Sequence, residues 1–476
     1  MKSNPTTHLI NQVINKSALI INQLDEIEIK KFPSKNPVKL LKIMREICIS
    51  LKDYTIEKSI YSSKNEDDLK KLKMILIFMA EMASHIRYID GASAERIPWS
   101  LVQTFQNFSE KIYKDVPIIL RPQWTYNFTI KRGLVNGYKL SLSSLLKKER
   151  IENIFKNELP NDVYIISFPG FEKSNILIQS ILGHELGHPL AKEFLNKERE
   201  EDYMTKIRDE TEKIITKDQA VDKAGETSKN IIAIKTIRNN WLSEIFSDLM
   251  AVHLFGLAAI LSMYEVAIMF KSMDKIENSS RFYPPWRYRI RKMYQELPWP
   301  ELIKKSDEIV KKNNAYKKIQ SAIINIKNEF QSEIDIKKDE DEINKIPLYK
   351  IVCSSVEEIL PKANAYIKEE LSKRNVETFL SDKKSLLRIY NLCLRLDHHL
   401  PPNAIETDDL SNPQIPDMFE IINSGWFYKV AYLNDTGLSS AEDYDDYLKK
   451  TELLNRLVFK AFELRDISSK FKEKSI

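Results

Sequence analysis

The sequence predicts a mostly helical protein of the α+β kind, with a small sheet beside one metal-binding helix and helical lobes on either side. Three observations carry that reading. Apolar residues recur every three or four positions over long stretches, as in Leu69, Leu72, Ile75, Met79, Met82 and Ile86. Glycine is scarce, with 10 residues in 476, which favours helix over tight β-turns. Strand-like composition is confined to residues 113–170.

Residues 1–112 read as a helical packing lobe. Pro98 suits the first turn of a helix carrying Leu101, Val102, Phe105 and Phe108. No catalytic chemistry stands out there. In residues 113–170, Val116–Leu120, Trp124–Ile130 and Val163–Phe168 have β-type composition. Val135-Asn136-Gly137-Tyr138 reads as a turn, followed by a helix over 141–156. The third strand stops at Pro169-Gly170, and it suits the lip of a cleft where an extended peptide pairs.

The stretch that organises the chain follows: Ile181-Leu182-Gly183-His184-Glu185-Leu186-Gly187-His188. On a helix, positions i and i+4 lie one turn apart on one face, so His184 and His188 can offer two imidazole nitrogens to one ion. Glu185 beside them is placed to act on a water. In zinc proteases the metal acidifies that water and the Glu takes its proton. With 7 histidines in the chain, a chance match is on the order of one percent at this composition. The bland alternative is an amphipathic helix with two hydrogen-bonded histidines. Against it, the preceding residues are apolar (Ile176, Leu177, Ile178), and buried polar side chains need partners.

Residues 189–240 are highly charged, notably Lys197-Glu198-Arg199-Glu200-Glu201-Asp202. They read as a helical excursion, either a cover for a cleft or an inert surface hairpin. Trp241–Asp248 then returns to a helical pattern in which Glu244 and Asp248, at i and i+4, share a face. Glu244 can complete a His-His-Glu zinc set that leaves the fourth position open. Asp248 can accept the second N–H of a zinc-binding histidine and fix its tautomer. The apolar run from Leu249 to Phe270 is about long enough to span a bilayer. It also contains Gly256, His253 and Glu265, so it reads better as a buried core helix broken near Gly256.

His-Glu-x-x-His followed by Glu244-x-x-Ser247-Asp248 resembles the gluzincin metallopeptidases. Tyr283-Pro284-Pro285-Trp286-Arg287-Tyr288-Arg289-Ile290 narrows this, since it resembles the His-Pro-Pro-x-x-x-Arg-Ile element of the CAAX-processing and stress-response membrane proteases. The resemblance covers about residues 160–295. It implies a zincin-like core over 113–300, a Zn²⁺ cofactor held by His184, His188 and Glu244, and Arg289 orienting the acidic residue behind the zinc. It puts Tyr283 where the family has a His that stabilises the reacting oxygen. That is a departure, although a phenol can also donate to an oxyanion. The alternative for this element is a Pro-Pro turn with packed aromatics. The membrane spans of that family are not evident in this sequence.

Residues 301–476 return to helices. Leu386, Ile389, Tyr390, Cys393 and Leu394 form one stripe. The helix ends near His398-His399, whose side chains point about 100° apart and so chelate one ion poorly.

The net charge of +5 does not mark a nucleic-acid binder. Three cysteines far apart suggest no disulfide framework, and the N-terminus lacks the apolar run of a signal peptide. The expectation is therefore a cytoplasmic zinc metallopeptidase acting on a protein or peptide substrate, with Glu185 as general base. A non-catalytic zinc scaffold, a gated protease of a defence or toxin system, and a membrane protease stay open.

Overall fold

The structure is a computed structural model. It describes residues 5–61, 66–114, 116–156, 159, 162–198, 223–269, 281–333, 343, 345–379, 384–405, 414–433 and 440–474. It is mostly helical with one three-stranded sheet. The chain divides into two compact units, Met1–Lys173 and Ser174–Ile476.

The first unit opens with α1 (Pro5–Glu28), α2 (Asn36–Tyr61), α3 (Glu66–Ser84), α4 (Ile86–Gly91) and α5 (Trp99–Ile112). Their heptad-like stripes meet in one core. Val13, Ile20, Leu24 and Ile27 of α1 join Leu40, Met44, Ile47 and Leu51 of α2 and Ile75, Met79 and Met82 of α3. The chain continues through β1 (Ile118–Gln123), β2 (Thr129–Lys131), α6 (Leu134–Ser143), α7 (Lys148–Phe155) and β3 (Tyr164–Pro169).

The sheet order is β1-β3-β2. β1 runs parallel to β3, with Ile118 opposite Tyr164. β2 runs antiparallel to it, with Ile130 opposite Ile166. Ile165, Ile166 and Phe168 are fully buried, as expected of a strand covered on both faces.

Several expectations change here. β3 is the central strand, so both its edges are already paired and it cannot add a peptide strand. The second strand is only Thr129–Lys131, and Trp124 is almost wholly exposed, so its aromatic composition misled. Val135–Tyr138 lies in α6, not in a turn. The reason is non-local: the Asp162 carboxylate accepts hydrogen bonds from the Gly133 and Val135 amides and caps α6 from 27 residues away. The division into compact units falls between Lys173 and Ser174. The Asn36 and Gln106 side-chain amides both donate to the Ile118 carbonyl, at 3.0 and 3.1 Å, and tie the sheet to the N-terminal helices. The sheet thus belongs to the first unit and the His-Glu-x-x-His helix to the second.

The second unit begins with a 3₁₀ turn, Leu177–Ile181, that runs into α8 (Leu182–Glu198). Then come α9 (Lys223–Phe255), α10 (Leu257–Ile268), α11 (Trp286–Glu296), α12 (Trp299–Lys312), α13 (Lys317–Glu333), α14 (Pro347–Lys373), α15 (Ser385–Asp397), α16 (Met418–Tyr428) and α17 (Ala441–Lys474). The charged excursion is helix at both described ends, where Arg238 forms a buried bidentate pair with Glu198; residues 199–222 lie outside the described residues.

The apolar run after Asp248 is core, broken at Gly256. Gly256 has φ +56°, and a side chain there would meet the Phe379 ring at 2.3 Å, so only glycine fits. Among the described residues no helix is long and apolar enough to cross a membrane. α15 ends just before His398 and His399, which are both exposed.

Candidate metal centre

α8 and α9 build the centre together. α8 buries Leu182, Leu186 and Leu190, and α9 buries Trp241, Ile245, Phe246 and Met250. The helices come unusually close at two glycines. A Cβ on Gly187 would lie 2.5 Å from the Ser247 Cα, and one on Gly183 would lie 2.9 Å from the Phe255 ring. Gly183 faces Phe255 and Gly187 faces Ser247, so the two helices run antiparallel. Each glycine immediately precedes one of the two histidines, and together they set the spacing between the helices.

That spacing brings the predicted residues together. His184 Nε2 lies 3.5 Å from Glu244 Oε2, and His188 Nε2 lies 3.8 Å from Glu244 Oε1. Donors about 2.1 Å from a tetrahedral zinc are about 3.4 Å from one another, so these separations suit one shared ion. His184, Glu185 and His188 form a second, looser grouping whose donor atoms lie within 4.8 Å of one another. Glu244 thus lies at ligand-like separation from both histidines, with Glu185 beside them. Glu185 is 2% exposed, and its Oε2 is buried with no hydrogen-bond partner among the described residues. A buried carboxylate oxygen in that state is costly unless a water or ion meets it.

Both histidine tautomers are fixed from behind. Asp248, fully buried, takes the His184 Nδ1–H at 2.7 Å. The Ser247 hydroxyl donates its proton to the Ser243 carbonyl, so its oxygen accepts from His188 Nδ1 at 3.2 Å, and the Ser243 hydroxyl lies 3.3 Å from the same nitrogen. Each Nε2 lone pair is then left for a metal. Arg289 grips Asp248 with two hydrogen bonds of 2.8 Å and lies 3.3 Å from Glu244. Its guanidinium stacks 4.6 Å from the Trp286 ring.

The charge balance is also informative. Glu185, Glu244 and Asp248 are three carboxylates set around the His184 ring and the Arg289 guanidinium, an acidic cage that suits a cation. Burial alone would raise the Asp248 pKa, yet Arg289 and His184 hold it at about 2. Burial pushes Glu185 up to about 7; Glu244 and Asp248 add to this, while His184 and Arg289 oppose it. For His184, burial favours the neutral ring, but the Asp248 and Glu244 carboxylates outweigh it and raise the pKa to about 10.

Tyr283 precedes α11 and is half exposed. Its segment is pinned to α9 by the Asn240 side chain, which donates to the Arg281 carbonyl at 3.1 Å, one turn before Glu244. Burial, then Glu244, then Glu185 raise its phenol pKa against Arg289, so the hydroxyl stays protonated within electrostatic reach of the site.

His184, Glu185, His188, Glu244, Asp248 and Arg289 gather at one place, and Tyr283 lies within electrostatic reach of Glu244, Arg289 and Glu185. Sequence reasoning missed Gly183, Gly187 and Ser247. The glycines stood inside the motif, four apart on one helical face, which is the signal that could have found them. Ser247 lies four residues after Ser243, and only the orientation of His188 shows its use. Comparison of the chain with models of protein families, with curated proteins and with solved structures found no match.

Proposed function

We propose that the chain is a zinc-dependent metallopeptidase of the gluzincin kind, with α8 and α9 as the helix pair of a zincin-like core. One observation carries the reading. Two imidazole Nε2 atoms and one carboxylate converge at ligand spacing while the neighbouring Glu185 Oε2 is buried without a hydrogen-bond partner among the described residues. His184, His188 and Glu244 would hold the ion, and three protein ligands leave one position for chemistry. When bound, zinc supplies Lewis acidity, which lowers the pKa of a water and polarises a carbonyl.

The chain's own groups do the rest. Glu185, poised near neutrality, takes a proton from the water that attacks the carbonyl carbon, and returns it to the leaving nitrogen as the C–N bond breaks. The Tyr283 hydroxyl donates to the carbonyl oxygen as that oxygen gains charge. Asp248, held by Arg289, keeps the His184 Nε2 lone pair aimed into the site.

The test is elemental analysis of protein purified without added metal, with cleavage of an unfolded protein substrate by the same sample. We expect one zinc per chain and cleavage that Glu185→Gln reduces by about 10²–10⁴-fold without loss of zinc. Zinc without cleavage by the parent chain would instead indicate a non-catalytic scaffold. No zinc, and none taken up on addition, would refute the reading.

A further inference from the structure

A second cluster of charged groups lies wholly in the first unit and has no role in the proposed chemistry. β1, β3 and β2 place Arg121 opposite Ser167 and Ser167 opposite Thr129, with Lys131 two residues on along the same face. Tyr88 of α4 is buried, and three cations surround its ring. The Arg121 guanidinium carbon is 4.6 Å from its centroid, Lys131 Nζ 5.2 Å and the Arg87 guanidinium carbon 5.3 Å.

Among the described residues none of the three cations pairs with a carboxylate. Arg121 is only 9% exposed, and the one hydrogen bond it makes there is from Nε to the Ser167 hydroxyl at 3.0 Å. Lys131 Nζ donates to His85 Nε2 at 2.9 Å, so the His85 Nδ1–H donates to the Tyr138 hydroxyl at 2.8 Å. Burial first, then Lys131 and Arg87, depress His85 to about 4, which keeps the ring neutral. The Tyr88 phenol is lowered even though burial alone would raise it, because Arg87 and Lys131 stabilise negative charge at that spot. Arg121 is lowered by its own burial, with Tyr88 raising it and Arg87 lowering it further.

Three like charges held around one neutral ring, one of them on a side chain nine-tenths buried, repel one another unless an anion joins them. Gly91 lets the Arg121 side chain lie where it does: a Cβ there would press on the Arg121 stem at 3.3 Å and on Nη1 at 3.5 Å. A guanidinium fork, an ammonium and a serine hydroxyl together match a tetrahedral, doubly charged oxyanion better than a planar carboxylate. We propose that Arg121, Lys131 and Arg87, set around Tyr88, bind a phosphate-class oxyanion, taken either as free phosphate or as a small phosphate monoester.

The test is calorimetric titration of the full chain with inorganic phosphate and, separately, with phenyl phosphate, at constant ionic strength set with chloride. We expect saturable one-to-one binding of at least one probe. Tighter inorganic phosphate marks a site for the free ion; tighter phenyl phosphate marks a site for a phosphate carried on a larger ligand. Arg87 is exposed, so Arg87→Gln keeps the fold and lowers affinity by about tenfold or more, as does Lys131→Gln. Gly91→Ala, which crowds Arg121, also weakens binding. No saturable binding of either probe, or binding unchanged in the Arg87→Gln/Lys131→Gln double variant, overturns the proposal. Zinc content is unchanged in all of these variants, which separates this test from that of the proposed peptidase.

Discussion

Gly187→Ala tests whether close helix packing assembles the metal centre. The added Cβ would lie 2.5 Å from the Ser247 Cα and 2.8 Å from its Cβ, where ordinary contact begins at 3.4 Å. The nearest atom is backbone, so no rotamer change relieves the clash, and α8 and α9 must separate by about 0.9 Å. Alanine is favoured over glycine inside a helix by about 1 kcal/mol. Overpacking costs about 1–3 kcal/mol. The net loss of stability is then modest, up to about 2 kcal/mol. The effect on the centre is larger. Glu244 starts 3.5 and 3.8 Å from the two histidine nitrogens, already at the upper end of the tetrahedral spacing. Withdrawing α9 takes Glu244 out of reach of an ion that both histidines hold. Misplacement by about 1 Å at such a site commonly costs about 10²-fold.

The assay is competition for zinc against a chromophoric chelator, run beside thermal melting. Gly137→Ala is the control. Gly137 lies within α6 with nothing within 4 Å of the new methyl, so alanine there should leave zinc binding alone and raise stability by about 0.5–1 kcal/mol. If Gly187→Ala binds zinc within twofold of the parent, the close approach does not set the ligand spacing and the reasoning fails.

Arg289→Ala leaves the fully buried Asp248 without its counter-charge, so thermal or urea unfolding should show a loss of about 3–5 kcal/mol together with weaker zinc binding; a change under 1 kcal/mol contradicts this. Arg289→Lys should recover little of the loss, because an ammonium cannot make the two-pronged contact. Tyr283→Phe removes a hydroxyl from a half-exposed ring, so the melting temperature and zinc content should hold while turnover falls by about 10²-fold; unchanged turnover would leave the Pro-Pro element as a simple turn. Chelator treatment should lower the melting temperature by removing the cation from the buried carboxylate cage, and readded zinc, but not magnesium, should restore it; insensitivity to chelator would mean that no ion occupies the cage.

Spacing within one helix is what the sequence determined alone. A 3.6-residue repeat puts His184 beside His188 and Glu244 beside Asp248 whatever surrounds them. The same repeat made the helical stripes legible, for example Leu72, Ile75, Met79 and Met82 in α3. Gly256 as the break in the apolar run was legible too, since glycine alone adopts its backbone without strain.

Tertiary contact decided the rest. The Asp162 carboxylate turned an apparent turn into the start of α6. Pairing on both sides made β3 a central strand rather than a cleft edge, and amides from α2 and α5 drew the sheet into the first unit. Ser247 became the partner of His188 only once α9 lay against α8, and the approach that joins Glu244 to the two histidines is set by the absence of a side chain at Gly187. Local spacing states what one helix offers. Which offers meet depends on the distance between helices, and here side-chain volume at two glycines fixes that distance.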